Sequence, residues 1–388
     1  MKIVNYLLVI GILIAALSCS DSQPKDKVAL TVTQDSLRFM IPDDVKGPML
    51  FVETLEDSGK AYLSFKNEVE PEILFYEMSS GNLVKRVVYA VEGDNAITGG
   101  FMGYHAIDFN HIYIPSMYVT TIFITDTTGT IKDKINFSQT DTNQPLIPFI
   151  PGLYGTVEII DGQFYILQTV NPMLREKALE DSPVSVVIDT MQHVVRALPM
   201  KFPQLITYKD FGTSAGNGED YYRCFTGDNF VYSFYYSELM YKADIMHQSV
   251  TSCPVKSRYI DKVEILRNSS NNQNAILKDR AEQANYGSVL YDKYRKVYYR
   301  VAYPASTIEE SDNYLKIIRS GKKNFSIMIL DKDLNVIGET LFPDYTFNPH
   351  LWFVREEGLY ISTNNEMNPN YDENQLVFKR VELNGDIQ

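Results

Sequence analysis

The apolar positions of this chain recur in short strands rather than along helical faces. Six segments read apolar–Tyr–apolar: Ala61-Tyr62-Leu63, Ile112-Tyr113-Ile114, Phe164-Tyr165-Ile166, the looser Val231-Tyr232-Ser233, Val297-Tyr298-Tyr299 and Leu359-Tyr360-Ile361. Subtracting successive positions puts their tyrosines 51, 52, 67, 66 and 62 residues apart. A polar turn precedes each copy, such as Asp161-Gly162 or Glu356-Glu357-Gly358, and another apolar run precedes the turn. That is a β-hairpin repeated six times. A second hairpin follows each first one, with an apolar strand ending near an acid. Its clearest copies are Ile73–Glu77, Ile122–Asp126, Val186–Asp189 and Ile327–Asp331, with looser ones at Met240–Asp244 and Val377–Glu382. These acids suit turns, because Asp and Asn side chains bond their own backbone.

Four strands per unit and six units per chain predict an all-β fold, a six-bladed β-propeller with four antiparallel strands per blade. After Glu382 too little chain remains for a fourth strand of the last blade, while Ser36–Asp43 resembles the outer strand Thr340–Asp344. An N-terminal strand at about 35–42 is therefore predicted to complete that blade and close the ring. With strands lettered a to d from the axis outward, the long connections 138–153, 171–183, 203–221, 256–285 and 304–325 are all b–c or d–a links, which share one face. Short helical insertions are predicted on that face. They are Met173–Glu180, Asn274–Asn285, and a helix opened by the capping box Ser306-Thr307-Ile308-Glu309 and stopped by Gly321. Ordered loops gathered on one side of a rigid scaffold are where binding resides.

Composition agrees with the strand reading. Of 388 residues, 27 are Tyr and 20 Phe against one Trp, a surplus that fits pleated sheets. Lys and Arg total 36 against 49 acids, a net charge of −13, which repels phosphate backbones and argues against a nucleic-acid partner.

The amino terminus carries an address. Lys2 precedes the apolar run Ile3–Leu17, which is shorter than the ~20 residues of a spanning helix and reads as a signal peptide over residues 1–18. Ala16-Leu17-Ser18-Cys19 resembles the bacterial lipobox, so Cys19 is the expected lipidation site. Residues 19–27 then form a lipidated tether and 28–388 a single propeller, a monomer touching the membrane through its acyl chains only. Cys224 and Cys253 fall on strands a and d of blade four. Three strand spacings place them roughly 14 Å apart, beyond disulfide reach, so both are expected free and buried.

Motifs for catalysis are weak. Gly212-Thr213-Ser214-Ala215-Gly216 spells a nucleophile elbow, but Asn217-Gly218-Glu219-Asp220 starts no helix after it. Asp331-Lys332-Asp333-Leu334-Asn335 opens like a calcium loop, yet Val336 stands where Gly is needed and Phe342 where a bidentate Glu is needed. Histidines 105, 111, 193, 247 and 350 show no metal-ligand spacing, and neither metal nor cofactor is expected. The sialidase Asp-box and the lactonase metal set, both known on six-bladed propellers, are missing. Strand-a starts are more informative. Tyr104, His105, Tyr222, Arg223 and His350, with Glu53 from blade one, are predicted to converge at the tunnel mouth and grip an anionic or sugar-like ligand. The plainer alternative packs the tyrosines between blades and pairs Arg223 with Glu53 or Glu158.

The lipobox followed by six Tyr-centred blades resembles an uncharacterised family of Bacteroides-type propeller lipoproteins, classed as a domain of unknown function. The resemblance spans the chain and rests on layout. It implies an outer-membrane lipoprotein, facing the periplasm or the cell surface, with no known activity. In such organisms Asp-Ser/Thr before an apolar residue or Thr resembles an O-glycosylation signal, which marks Ser36, Thr127 and Thr190. The functional expectation is a non-catalytic module that binds an envelope protein or carbohydrate through the long-loop face. The alternative is a hydrolase or lyase at the tunnel mouth, its acid and base drawn from different blades.

Overall fold

The six tyrosine-centred segments are the second strands of six antiparallel sheets. A computed structural model of the chain describes residues 26–47, 49–152, 155–203, 220–264 and 272–386. From the axis outward, blade one comprises Glu53–Asp57, Lys60–Lys66, Glu72–Glu77 and Leu83–Val88. Blade two follows with His105–Asp108, His111–Pro115, Thr121–Thr125 and Ile131–Asn136, and blade three with Glu158–Ile160, Gln163–Leu167, Ser185–Asp189 and Val194–Ala197. Blade four holds Tyr221–Phe225, Asn229–Phe234, Leu239–Asp244 and Val250–Pro254. Blade five holds Asn285–Asp292, Val297–Tyr303, Phe325–Leu330 and Val336–Phe342. Blade six takes Asn348–Arg355, Gly358–Ser362 and Gln375–Gly385 from the end of the chain, and Val28–Met40 from its start.

Middle strands are buried on both faces because each blade is sandwiched between neighbours. Every residue of Val297–Tyr303 and Phe325–Leu330 is buried, whereas the outer strand Leu83–Val88 buries only Val87. The turn acids behave as their chemistry requires: Asp189 Oδ1 accepts the Met191 and Gln192 N–H groups, and Asp331 Oδ1 accepts those of Asp333 and Asn335.

Closure follows the predicted topology over a longer strand. Val28–Met40 pairs antiparallel with Gln375–Gly385, with an irregularity between Val32 and Ser36. The strand thus begins well before the expected position near 35. Its early part also leans on blade five, where Lys27 N–H donates to Ile337 O at 2.9 Å and Leu30 N–H to Thr340 Oγ1 at 3.0 Å. The irregularity breaks the period-two pattern, which hides the continuity in the sequence.

The long links leave one face, as expected, and carry three short helices: α1 (Ala178–Asp181, preceded by the 3₁₀ turn Pro172–Lys177), α2 (Gln273–Glu282) and α3 (Tyr314–Arg319). Asn313, not Ser306, caps α3, its side chain accepting the Lys316 N–H at 3.0 Å. The residues around Ser306 are held otherwise. Glu282 takes the Ser306 N–H on its carbonyl and the Ile308 N–H on its carboxylate, so this stretch crosses α2 and buries Ile308 against Ala281 and Ile317. Cys224 and Cys253 are free thiols on the innermost and outermost strands of blade four, half-buried rather than fully buried.

Candidate functional site

Innermost strands surround a cavity of about 240 Å³ on the propeller axis, with Glu53, Glu158, Ser288 and Trp352 among its lining residues. The sequence-predicted residues divide here. Glu53 turns to blade two: its Oε1 meets His105 Nδ1 at 3.2 Å and its Oε2 accepts the Ala106 N–H at 2.9 Å. Burial works against the His105 imidazolium, but the charge and hydrogen bond of Glu53, aided by Glu158, raise its pKa above the ordinary value. Tyr104 packs between blades and donates to Ser64 Oγ at 2.7 Å. Arg223 is 3% exposed and points into blade three. Its guanidinium donates to Ser185 Oγ at 2.7 Å and to the carbonyls of Thr156 and Tyr165 at 2.9 and 3.0 Å, and lies 4.6 Å from the Phe230 ring centre. Among the described residues it binds no carboxylate. It fastens blade four to blade three instead of facing a ligand. Neither the open cationic mouth expected of Arg223 nor its pairing with Glu53 or Glu158 is present.

Glu53, Tyr222, Arg223 and His350 all line this axial cavity, and Tyr222 and His350 also line a second one of about 180 Å³ at the long-loop end of the axis. Three basic groups from two segments join them there: Arg280 of α2, and Arg319 at the end of α3 with Lys322 just beyond it. Asp220, Tyr235 and Tyr303 complete the polar lining, and Leu50 and Ile318 give it an apolar wall. A helix-ending turn places Lys322. Gly321 N–H donates to Ile318 O and Lys322 N–H to Ile317 O, and both residues take the left-handed conformation that reverses the chain. The turn drives the lysine inward until it is 5% exposed.

Lys322 Nζ donates to Gln283 O at 2.7 Å and to Asn285 Oδ1, and lies 5.5 Å from the Tyr303 ring and 5.9 Å from that of Tyr235. Burial, with Arg280 nearby, pushes its pKa down to about 7. Burial pushes the Asp220 carboxyl up to about 7 against the opposing charge of Arg280. Burial also lowers His350, whose Nε2 donates to Ile318 O at 3.3 Å. Burial raises the Tyr235 hydroxyl to about 12, with the nearby Arg280 opposing the shift. The Tyr303 hydroxyl is buried with no hydrogen-bond partner among the described residues. Sequence reasoning missed Asp220, Tyr235, Arg280, Tyr303, Arg319 and Lys322. Gly321-Lys322 closing a predicted helix was the one available signal.

Ser36 lies beside the strand irregularity of blade six, and Thr127 and Thr190 lie on c–d turns of blades two and three; all three are half-buried and far from this cavity in the fold. Cys19 and the Gly212–Gly216 segment fall outside the described residues. Among the described residues no His, Cys, Asp and Glu side chains gather as a metal site, and no helix is long and apolar enough to cross a membrane.

Residues 28–341 match the family model described as a domain of unknown function, DUF4221. A crystal structure of a DUF4221 member from Bacteroides vulgatus ATCC 8482 superposes with a TM-score of 0.80 at 23% identity, covering 93% of this chain and 99% of that one. A protein from Bacteroides fragilis NCTC 9343, whose name proposes that it is exported, superposes with a TM-score of 0.50 at 10% identity, over 92% of this chain and 96% of its own. No curated protein matches the sequence.

Proposed function

This chain belongs to the DUF4221 family, and we propose that it is an exported, lipid-anchored propeller that binds a small anionic ligand, an acidic sugar foremost, at the long-loop end of its axis. One observation carries the reading. In a chain of net charge −13, Arg280 from one insertion and Arg319 and Lys322 from another gather into one tyrosine-lined cavity. A buried lysine beside aromatic rings, with two arginines at the rim, suits an oxyanion on a ring-shaped body.

Calorimetric titration with glucuronate, and with glucose as its neutral counterpart, tests this. Glucuronate should bind and glucose should not, and Lys322→Met should weaken glucuronate at least tenfold, about 1.4 kcal/mol. The pH sign is fixed by two groups. As pH rises through about 7, Lys322 loses its proton and Asp220 gains a negative charge, so affinity should fall from pH 6 to pH 8. Equal affinity for glucuronate in parent and Lys322→Met protein rejects the site.

A second reading, acid–base catalysis on the same ligand, is favoured by Asp220 and Lys322 lining one cavity, both poised near neutrality. New reducing ends or unsaturated ends released from an oligouronate, and lost in Asp220→Asn, would establish it over simple binding.

Anchoring rests on the lipobox at Cys19, and the name of the Bacteroides fragilis protein points the same way. The strand Val28–Met40 runs toward the 41–52 link on the long-loop face, so its amino end lies toward the short turns. A tether of residues 19–27 reaches at most about 30 Å. A lipid on Cys19 would thus hold the short-turn end toward the membrane and leave the ligand cavity facing away. Cys19→Ala should release the protein or leave an unprocessed precursor; unchanged membrane fractionation rejects the anchor.

A further inference from the structure

We infer that the Tyr303 hydroxyl is a ligand-contacting donor, and that the ligand enters this cavity with its oxyanion group leading and a single ring behind it. The inference rests on the reading of the cavity as a ligand site and names the group that reaches deepest.

The neighbouring polar groups each have partners in the chain. Lys322 Nζ has two acceptors, and His350 has the Ile318 carbonyl. Tyr303 differs from them. It is 3% exposed, ends the second strand of blade five, and its hydroxyl meets no partner among the described residues. A buried hydroxyl without a partner is destabilising, and native structures seldom retain one without a reason. Phenylalanine would keep the ring and what the ring does, namely facing the Lys322 ammonium at 5.5 Å and the His350 ring at 6.4 Å. The oxygen adds nothing to the fold, so its use lies with a group the chain does not supply.

That group must accept a hydrogen bond and sit well beside a cation. A carboxylate or sulfate oxygen does both, bridging Tyr303 Oη and the Lys322 ammonium. Size sets the rest of the molecule. About 180 Å³ is the room of roughly six waters, enough for one six-membered ring among lining residues that include Leu50, Ile318 and Tyr222.

Tyr303→Phe tests the assignment, because it removes one oxygen and no bond within the protein. Thermal melting should give a Tm equal to or above the parent's, while the glucuronate Kd rises at least tenfold in calorimetry. Glucose 6-sulfate, titrated in parallel, separates the two oxyanion sources: the probe whose affinity falls in Tyr303→Phe is the one whose oxygen meets the hydroxyl. If the parent binds either probe and Tyr303→Phe binds it equally well, the hydroxyl is not a contact, and the cavity reading stands without it. A lowered Tm in Tyr303→Phe overturns the inference too, since the hydroxyl then serves the fold through an ordered water. If the parent binds neither probe, the cavity reading fails and the inference fails with it.

Discussion

A chain lacking residues 26–40 is expected to lose the cooperative fold altogether. That segment contributes the outer strand of blade six and buries Val28, Leu30 and Phe39. Each such side chain contributes ~1.5–3 kcal/mol, together ~5–9 kcal/mol, against a typical domain stability of ~5–15 kcal/mol. The deletion also strips the ladder partner from Gln375–Gly385 and exposes an eleven-residue edge open to aggregation. The molecule carries its own probe. Its one Trp, Trp352, lies on the innermost strand of the same blade, so urea unfolding followed by tryptophan fluorescence reads the damage directly. The deleted chain should show no cooperative transition, and Phe39→Ala should lose about 3–5 kcal/mol. Val32→Thr, at an exposed position of the strand, should stay within about 0.5 kcal/mol of the parent. A deleted protein that melts like the parent refutes closure by this strand.

Much of this architecture was legible in the sequence, for a physical reason. Strands buried between two blades must be apolar throughout, and the Asp- and Gly-bearing turns that join them need specific side chains, so both leave a periodic trace. The trace fades where burial is partial. Glu158–Ile160, the three-residue innermost strand of blade three, buries none of its residues fully. The strand irregularity between Val32 and Ser36 masked the beginning of the closing strand. A good capping pattern at Ser306 failed because Glu282, distant in sequence, took the amide groups that the cap would have used.

The ligand cavity was less legible, and Arg223 shows why. Blade sheets face their neighbours, so side chains on an innermost strand point alternately at one adjacent blade or the other. Tyr222 joins the cluster with Tyr286 of blade five, while Arg223, the next residue, reaches Ser185 and Tyr165 of blade three. Position at the tunnel end gave the right neighbourhood, and alternation sent the charge elsewhere. The cations that do line the cavity come from insertions without period. Lys322 gets there only because a left-handed turn after α3 reverses the chain.

Arg300→Met is expected to cost about 3–5 kcal/mol, the scale seen when one partner of a buried charged network is removed. Arg300 is fully buried on the second strand of blade five and lies 3.7 Å from the Tyr286 ring centre. Its guanidinium donates to Ser233 Oγ at 2.9 Å and to the carbonyls of Ser237, Val255 and Glu238 at 2.7, 2.9 and 3.3 Å. Methionine fills much of the volume but supplies no donor, so three carbonyls and a hydroxyl are left in a dry site, where each unsatisfied group costs ~1–3 kcal/mol. Lysine should rescue poorly, because three donors on one nitrogen cannot span acceptors arranged for a planar fork. Ser233→Ala, which removes one acceptor from Arg300 and one donor from the Gly287 carbonyl, should cost less, ~1–3 kcal/mol. Urea titration separates these cases by midpoint at constant slope. The effect should reach the ligand as well. Ser237 and Glu238 belong to the b–c link of blade four, and Val255 opens the link that carries α2 and Arg280. Glucuronate affinity should therefore fall in Arg300→Met even in the fraction that remains folded. A midpoint within error of the parent's would show that the carbonyls find other donors and that the arginine does not hold the blades together.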